Sequence, residues 1–274
     1  MTFEDLKITR QFLNAIEDSG FTKPSPIQEK AIPPINGGQD VIGIAQTGTG
    51  KTAAFALPLL QKIKFAQDSP PRGLVLVPTK ELVIQVHGVF CSLAAYTDIR
   101  CIALYGGVGP KTQLEGLEKG VDIIIATPGR FLELYLKGGI KPKKIKTLVL
   151  DECDRMMDMG FMPQLRNILE VIPSKRQNLL FSATFPERVE RLSEEFLLWP
   201  TRIEVSPQAT PVATVTQLKT AVPNIRTKLN MLAHLLTIVY PEERTLIFVR
   251  TKEQAESISK FLERTISGGV RGLH

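Results

Sequence analysis

The stretch 45–52, which reads Ala-Gln-Thr-Gly-Thr-Gly-Lys-Thr, restricts the possible folds of this chain more than any other feature. It follows the apolar run 40–44, which has the length of a buried strand, and it precedes the helix-forming run 53–63. A strand, a glycine turn, a lysine and a hydroxyl residue at a helix start are typical of a phosphate-binding loop. Although Ala45 stands where the usual pattern has glycine, this context predicts a nucleotide site. The alternative is a glycine turn that only joins a strand to a helix.

Different residues of this loop would make different contacts with the phosphates and the metal ion. The glycines would let backbone N–H groups turn toward phosphate oxygens, and the helix start would add unpaired donors. Lys51 would reach the β- and γ-phosphates, and the Thr52 hydroxyl would bind Mg²⁺. The predicted contacts with the nucleotide and its Mg²⁺ are Thr47, Gly48, Thr49, Gly50, Lys51 and Thr52.

Composition narrows the class of protein. The chain has 274 residues, enough for one large domain and part of a second, and a net charge of +6. That mild basic excess is compatible with a phosphate-backbone partner, although many basic proteins only have solvated lysines. The three cysteines have neither C-x-x-C nor metal-ligand spacing, which fits a reduced cytoplasmic setting. No apolar run approaches the ~18 residues of a membrane span and the acidic start is unlike a signal peptide, so we expect a soluble protein without membrane contact.

Apolar runs rich in Val, Ile and Leu alternate with helical patterns along residues 40–205. This alternation predicts an α/β fold with a mostly parallel sheet flanked by helices. The predicted strands are 40–45, 73–78, 100–105, 121–126, 146–151, 177–182 and 201–205. The predicted helices are 9–19, 51–63, 80–95, 110–119, 128–137, 161–171 and 186–198. Because ligands of such sheets bind at the carboxyl ends of the strands, those ends are the places to search for a site.

Three strand ends carry small or hydroxyl residues at a tight turn or a helix start. They read Pro-Thr-Lys-Glu-Leu at 78–82, Tyr-Gly-Gly at 105–107 and Thr-Pro-Gly-Arg at 127–130. Free N–H groups and hydroxyls in such places suit a sugar–phosphate backbone, although each motif alone is more often an ordinary turn or cap. Three on one edge favour a nucleic-acid groove formed by Pro78, Thr79, Lys80, Gly106, Gly107, Thr127, Pro128, Gly129 and Arg130.

The predicted strand 146–151 leads into the tetrad 151–154, which reads Asp-Glu-Cys-Asp. An acidic residue that closes a buried strand beside a phosphate loop is a usual Mg²⁺ carboxylate. Asp151 would hold the metal ion, and Glu152 would orient or deprotonate the attacking water. The alternative is a solvent-exposed carboxylate pair, which a strand end buried in the sheet disfavours.

The next predicted strand, 177–182, ends in Ser-Ala-Thr at 182–184. The hydroxyls of Ser182 and Thr184 would hydrogen-bond Asp154 and relay the state of the nucleotide. The motif has no predictive value when it stands alone.

A second candidate ligand segment, 20–28, precedes the loop and reads Gly-Phe-Thr-Lys-Pro-Ser-Pro-Ile-Gln. Its prolines stiffen the backbone, and Pro26 would open the helix that carries Gln28. The Gln28 amide has a donor and an acceptor that match the N6 and N7 edge of adenine, and Phe21 would cover the base. More often, a Gln and a Phe beside a turn only pack or face solvent.

Together these stretches resemble the DEAD-box family of ATP-dependent RNA helicases, most closely its bacterial members. The matching elements, in the family's order, are 20–28, 45–52, 78–82, 106–107, 127–130, 151–154, 182–184 and 246–249. The resemblance implies a first RecA-like domain of the P-loop NTPase class at 1–208, with an adenine-recognition segment at 1–36. It also implies the start of a second RecA-like domain at 209–274.

The resemblance further implies roles for single residues in the use of ATP, Mg²⁺ and RNA. The implied adenine contacts are Phe3, Phe21, Lys23 and Gln28. The implied catalytic residues are Lys51, Asp151 and Glu152, with Thr52 and Asp151 at the metal ion. The nine groove residues would grip single-stranded RNA or a short RNA duplex through its backbone. Asp154, Ser182 and Thr184 would couple the two domains.

The chain departs from the family's pattern in three ways. Lys80 stands where the family usually has Arg, which keeps the charge but loses the bidentate fork. Cys153 replaces an Ala of similar size, so we expect catalysis to tolerate it. The family's later arginine motifs are not among these 274 residues, so we expect ATP and RNA binding with slow turnover and no unwinding. The predicted second-domain elements are strands 216–221 and 244–250 and helices 225–239 and 252–265.

Two other classes of function stay open. A non-catalytic, nucleotide-sensing RNA-binding module would need no turnover, but the intact Lys51, Asp151 and Glu152 argue against it. A DNA-directed helicase or another phosphate-loop ATPase would differ in its response to the 2′-hydroxyl of RNA. The sequence predicts no particular protein partner.

Overall fold

The computed structural model describes residues 1–63, 70–205, 216, 218–239, 244–266 and 269–272. The chain forms two compact units, Met1–Thr210 and Pro211–His274. Among the described residues, no helix is both long and apolar enough to cross a lipid bilayer.

The first unit is an α/β structure with a sheet of seven parallel strands. The strands are β1 Val41–Ile44, β2 Gly73–Leu76, β3 Cys101–Leu104, β4 Ile123–Ala126, β5 Thr147–Leu150, β6 Gln177–Ser182 and β7 Thr201–Glu204. The helices are α1 Arg10–Asp18, α2 Pro26–Asn36, α3 Lys51–Gln61, α4 Lys80–Leu93, α5 Pro110–Glu118, α6 Pro128–Leu136, α7 Cys153–Asp158, α8 Met162–Val171 and α9 Glu187–Phe196. A 3₁₀ turn covers Pro142–Lys144. The predicted α/β fold and its seven strands are confirmed, while the short helix α7 was not predicted.

The inner strands β1, β2, β4 and β5 are largely apolar because both faces of the sheet are buried there, whereas the edge strand β7 reads Thr-Arg-Ile-Glu and buries only Ile203. Successive side chains of a strand point to opposite faces, so each inner strand contributes to two hydrophobic cores. In β4, Ile123 and Ile125 belong to the core that packs against α1 to α4. Ile124 belongs to the core that packs against α5 to α9. The sheet is therefore a rigid middle layer between two layers of helices.

The order of the strands is β3-β4-β2-β5-β6-β1-β7. The neighbours β5, β6 and β1 bring the tetrad 151–154, the stretch 182–184 and the phosphate loop to one part of the carboxyl edge. The neighbours β3, β4 and β2 bring together the three motifs predicted to form a nucleic-acid groove. The topology thus places two groups of sequence motifs side by side on a single edge, as ligand sites of open parallel sheets require.

The second unit contains two described helices, α10 Ile225–His234 and α11 Lys252–Thr265. α10 continues into a π-helical turn, Leu235–Val239. The predicted helices 225–239 and 252–265 are both found. Asn224 begins α10 by accepting the N–H of Thr227 at 2.9 Å, a normal N-cap bond.

The strand prediction for this second unit is wrong. Residues 244–250 form no strand, nor do the described residues of 216–221, of which 217 lies outside the described part of the chain. A strand is completed by the hydrogen bonds of a neighbouring strand, and the described residues of this unit offer none. Consequently, Leu246 and Phe248 are 69% and 87% exposed instead of lying in a core.

Candidate nucleotide site and nucleic-acid interface

The phosphate loop connects β1 to α3, which begins at Lys51. Gly48 and Gly50 have φ angles of +81° and +93°, the left-handed region that only glycine adopts without strain. A Cβ on Gly50 would also lie 2.5 Å from the Gln28 Nε2 atom, so a side chain has no room there. The Thr49 hydroxyl stabilises the turn by donating to the Gln46 carbonyl at 2.7 Å. The glycines therefore give the loop its shape as well as its open N–H groups.

Gln28 is buried against this loop and is only 2% exposed. Its Oε1 atom accepts the N–H of Ser25 at 2.9 Å, and its Nε2 atom donates to the Gly50 carbonyl at 3.0 Å. The amide predicted to read adenine thus ties the start of α2 to the phosphate loop. An amide group has four hydrogen-bonding positions, so these two bonds leave capacity for a ligand.

The other predicted adenine contacts differ in their exposure. Phe21 is 43% exposed and Lys23 is exposed, so both side chains are accessible. Phe3 is 6% exposed and packs in the core beside α1 to α4, so little of its ring is open to a base. The roles of these three residues stay predictions.

Lys51 and Asp151 place opposite charges inside the sheet edge. They are only 6% and 5% exposed. The Lys51 ammonium has no hydrogen-bond partner among the described residues. Burial raises the pKa of Asp151 to about 6, against the opposing effects of Lys51 and of the bond from the Glu152 N–H. Burying an ammonium without a partner costs free energy, and the phosphate oxygens of a ligand bound in this loop would supply such a partner.

The residues at this edge fit an anionic nucleotide together with Mg²⁺. No cluster of three or more His, Cys, Asp or Glu side chains suited to a metal ion exists among the described residues. Mg²⁺ commonly uses one or two carboxylates, with phosphate oxygens and water completing its octahedral shell. Asp151 and the half-buried Thr52 could supply that small protein share.

Glu152 has an unusual backbone, with φ +52° and ψ +49°. This left-handed conformation costs roughly 1–2 kcal/mol for a residue with a Cβ, and such strain gathers at functional positions. Its side chain is 13% exposed and lies 3.4 Å from the Arg155 guanidinium. The strained turn carries the Glu152 carboxylate out of β5 directly after Asp151, whose backbone N–H donates to the Leu76 carbonyl at 3.0 Å.

Asp154 connects this edge to the end of β6. Its Oδ2 atom accepts the Thr184 hydroxyl at 2.7 Å and the Thr184 N–H at 3.0 Å. The Ser182 hydroxyl accepts the backbone N–H of Asp154 at 3.1 Å, so the predicted hydrogen bond between these two residues is also present. Burial raises the pKa of Asp154, but these hydrogen bonds outweigh it and hold that pKa below its ordinary value. The predicted contact is present, and its role in coupling domains stays a prediction.

The predicted nucleic-acid groove combines helix starts and an exposed glycine turn. Thr79 caps α4 by accepting the N–H of Leu82 at 3.3 Å, and Thr127 is the N-cap of α6. The Lys80 ammonium lies 5.3 Å from the centre of the Tyr105 ring. The exposed groove residues are Lys80, Gly106, Gly107 and Gly129, whereas Pro78, Pro128 and Arg130 are buried.

The surroundings of Arg130 correct one sequence prediction. The residue is 5% exposed, and its guanidinium already bonds three groups of the protein. These are the carbonyls of Tyr105 and Val108 and the carboxylate of Glu133. Arg130 therefore lies beneath the groove surface and does not present a free cation to a phosphate.

Sequence reasoning also missed a residue beside Arg130. Gln113 is 8% exposed, and its Nε2 atom donates to the Tyr105 carbonyl at 3.1 Å. The only available signal was a polar residue within the predicted helix 110–119, which says nothing about a partner in another loop.

A parallel sheet whose carboxyl edge carries a glycine loop, a buried lysine and an acidic strand end defines a phosphate-loop nucleotide-binding protein. The family model described as DEAD/DEAH box helicase matches residues 25–192, more than half of the chain. The chain belongs to the DEAD/DEAH box helicase family.

Relatives with curated names include proteins from bacteria and from a plant. The DEAD-box ATP-dependent RNA helicase RhpA of Helicobacter pylori is 40% identical over 261 residues, which cover 95% of this chain and 52% of the relative. The helicase CshA of Geobacillus kaustophilus is 37% identical over 95% of this chain and 55% of its own length. The DEAD-box ATP-dependent RNA helicase 45 of Oryza sativa is 38% identical over 93% of this chain and 28% of its own length. The chain thus spans about half the length of the two bacterial relatives.

Proposed function

We propose that this protein uses ATP and Mg²⁺ to bind and locally remodel RNA, as an ATP-dependent RNA helicase. The observation that carries the proposal is the buried Lys51 ammonium, which has no partner among the described residues and stands at the start of α3 behind a glycine loop. Several relatives are named as ATP-dependent RNA helicases, which supports the choice of ATP and RNA.

In this proposal, the chain divides the chemistry of ATP hydrolysis among four side chains. Lys51 and the loop N–H groups bind the β- and γ-phosphate oxygens. Thr52 and Asp151 would hold Mg²⁺, which would neutralise charge on the phosphates. Glu152 orients the attacking water and accepts its proton.

RNA binding is proposed for the groove at the ends of β2, β3 and β4. Thr79, Thr127 and the glycine turn offer hydroxyls and N–H groups, which suit sugar and phosphate but carry no information about base sequence. Lys80 is an exposed cation on the same surface. We therefore propose single-stranded RNA or a short RNA duplex as the ligand, held by its backbone.

For the 274-residue chain itself we propose slow turnover, because it holds none of the family's later arginine motifs. A cytoplasmic location is also proposed, supported by three cysteines that are all free thiols.

The first experiment measures binding of a fluorescent ATP analogue with Mg²⁺ and single-turnover hydrolysis with and without single-stranded RNA. Lys51→Ala should abolish binding, and the exposed Lys111→Ala is its matched control. Glu152→Gln should retain binding and reduce hydrolysis by about 10²-fold or more, with the exposed Glu118→Gln as control.

The results separate the candidate functions. Absence of binding by the unaltered chain would refute the nucleotide site. Binding of the ATP analogue by the unaltered chain without hydrolysis above that of a protein-free sample would support the nucleotide-sensing module that lacks catalysis. Equal stimulation by RNA and by DNA of the same length would contradict the choice of RNA, since the 2′-hydroxyl separates the two.

A further inference from the structure

Arg130 lies in the first turn of α6, where its side chain is 4% exposed. Its Nε atom donates to the Tyr105 carbonyl at 2.9 Å, and one terminal nitrogen donates to the Val108 carbonyl. The other terminal nitrogen lies 3.2 Å from the Glu133 carboxylate. Each nitrogen of the planar guanidinium is thus engaged by the protein, which is the kind of fixed, forked geometry that Arg provides and Lys does not.

The two carbonyls that Arg130 binds enclose the exposed turn 106–107. Gly107 has a φ of +83°, and a Cβ at either glycine would meet no atom within 4 Å. Among the described residues, positions 106–108 form no backbone–backbone hydrogen bond outside helices and strands. The Tyr105 carbonyl receives a second bond from the Gln113 side chain at 3.1 Å. Side chains of α5 and α6, not a backbone ladder, therefore hold both ends of this turn.

We propose that Arg130 is a positioning residue, which fixes the turn 106–107 so that its N–H groups face the RNA backbone. In this arrangement Arg130 does not pair with a phosphate; the exposed Lys80 supplies the cation on the same surface. The inference rests on the proposed RNA binding and specifies how one part of that site is built.

The salt dependence of RNA binding separates positioning from direct pairing. A cation that neutralises one phosphate of a single strand contributes about 0.7 to the slope of log K against log salt concentration. A residue that only orients neutral N–H groups lowers the affinity without changing that slope.

The test measures the anisotropy of a fluorescein-labelled oligouridylate, titrated with the full chain and an ATP analogue at several KCl concentrations. Arg130→Gln should weaken binding about tenfold and leave the slope unchanged. Lys80→Ala should reduce the slope by about 0.7. Arg130→Lys should not restore the affinity, because one ammonium cannot reproduce the fork between two carbonyls.

Gln113→Ala is an independent test should the Arg130 variants fail to fold, because it loosens the same Tyr105 carbonyl from a different helix. It should lower RNA affinity with an unchanged slope, while binding of the ATP analogue stays at the value of the unaltered chain. A slope reduced by about 0.7 in Arg130→Gln, full rescue by Arg130→Lys, or unchanged affinity in Gln113→Ala would overturn the inference. RNA binding by the unaltered chain in those cases would leave the proposed function standing, whereas its absence would refute that function and the inference with it.

Discussion

Replacing Gln28 by Glu would test the bond that ties α2 to the phosphate loop. The substitution preserves the shape of the side chain and the acceptor for the Ser25 N–H, but it replaces the Nε2 donor by an oxygen. That oxygen would face the Gly50 carbonyl, to which Nε2 now donates at 3.0 Å. Two acceptors would then meet at a position that is 2% exposed.

The expected loss of stability follows from two effects. The lost hydrogen bond contributes about 1 kcal/mol, and burying a charge opposite an unsatisfied carbonyl adds about 1–3 kcal/mol. We therefore expect Gln28→Glu to lower the free energy of unfolding of the nucleotide-free protein by about 2–4 kcal/mol. Because burial raises the pKa of a carboxyl group and its protonated form can again donate to Gly50, the deficit should shrink as the pH falls from 8 to 5.

Urea unfolding followed by far-UV circular dichroism measures this loss, and Gln11→Glu on the exposed side of α1 is the matched control. The control should stay within about 0.5 kcal/mol of the unaltered protein. If Gln28 served only to contact adenine, its substitution would have no effect without nucleotide. A Gln28→Glu protein that unfolds like the control at every pH would therefore refute the proposed tie.

Three further changes test other charged side chains. Asp151→Asn should raise the urea midpoint of unfolding of the nucleotide-free protein at pH 7.5. Burial raises the pKa of Asp151 to about 6, so the folded protein loses stability as the pH rises toward and through 6 and the carboxyl group ionises. An unchanged or lower midpoint would contradict this. Asp122 is fully buried between the guanidinium groups of Arg72 and Arg100. Asp122→Asn should therefore lower the free energy of unfolding, measured in urea, by about 3–5 kcal/mol. A loss below about 1 kcal/mol would show that the two ion pairs contribute little to stability. Burial lowers the pKa of Lys62 from 10.5 to about 8, so the free energy of unfolding should rise as the pH increases from 8 to 10.5. Because part of the side chain is exposed, we expect this rise to exceed that of Lys62→Met by only about 1 kcal/mol. Parallel profiles of unfolding free energy against pH for the two proteins would disprove it.

The sequence predicted those parts of the fold that depend on local patterns. Most strands of the first unit could be found because they are short, largely apolar runs, which is what burial on both faces requires; the edge strand β7, which reads Thr-Arg-Ile-Glu, carries this signal less clearly. Helix α11 could be found because Thr251 caps it by accepting the N–H of Gln254 at 3.2 Å, and a Thr before a helical pattern is a known start signal. Residues 246–249 of the stretch 244–250 are as apolar as the inner strands, yet the part of the second unit that the structure describes contains no neighbouring strand to pair with them.

Contacts between residues that are distant in the chain could not be predicted from the sequence. The motif 127–130 indicated an exposed phosphate contact for Arg130, because nothing local reveals that the carbonyls of Tyr105 and Val108 lie across from it. Helix α7 was missed because Glu152 takes a left-handed backbone directly after β5, and no Ser, Thr, Asn or Asp precedes that helix as an N-cap. The shape of the phosphate loop could be predicted because β1, the loop and α3 are consecutive in the chain, whereas its bond to the remote Gln28 could not; that the loop binds a nucleotide stays a prediction.

Three features that are rare in stable proteins lie at the site proposed for the nucleotide, and each of them is energetically unfavourable in the nucleotide-free protein. Lys51 buries an ammonium without a partner among the described residues, and Asp151 holds a carboxyl group whose pKa burial has raised. Glu152 carries a strained backbone between Asp151, the residue proposed to hold Mg²⁺, and α7. Stable proteins tolerate few such features, and these three follow β1 and β5 at the same edge of one sheet. An anionic ligand with a divalent cation would satisfy the ammonium and lower the pKa of the carboxyl group together. Binding would therefore recover free energy that folding alone leaves unsatisfied, which is the physical reason to place the nucleotide there.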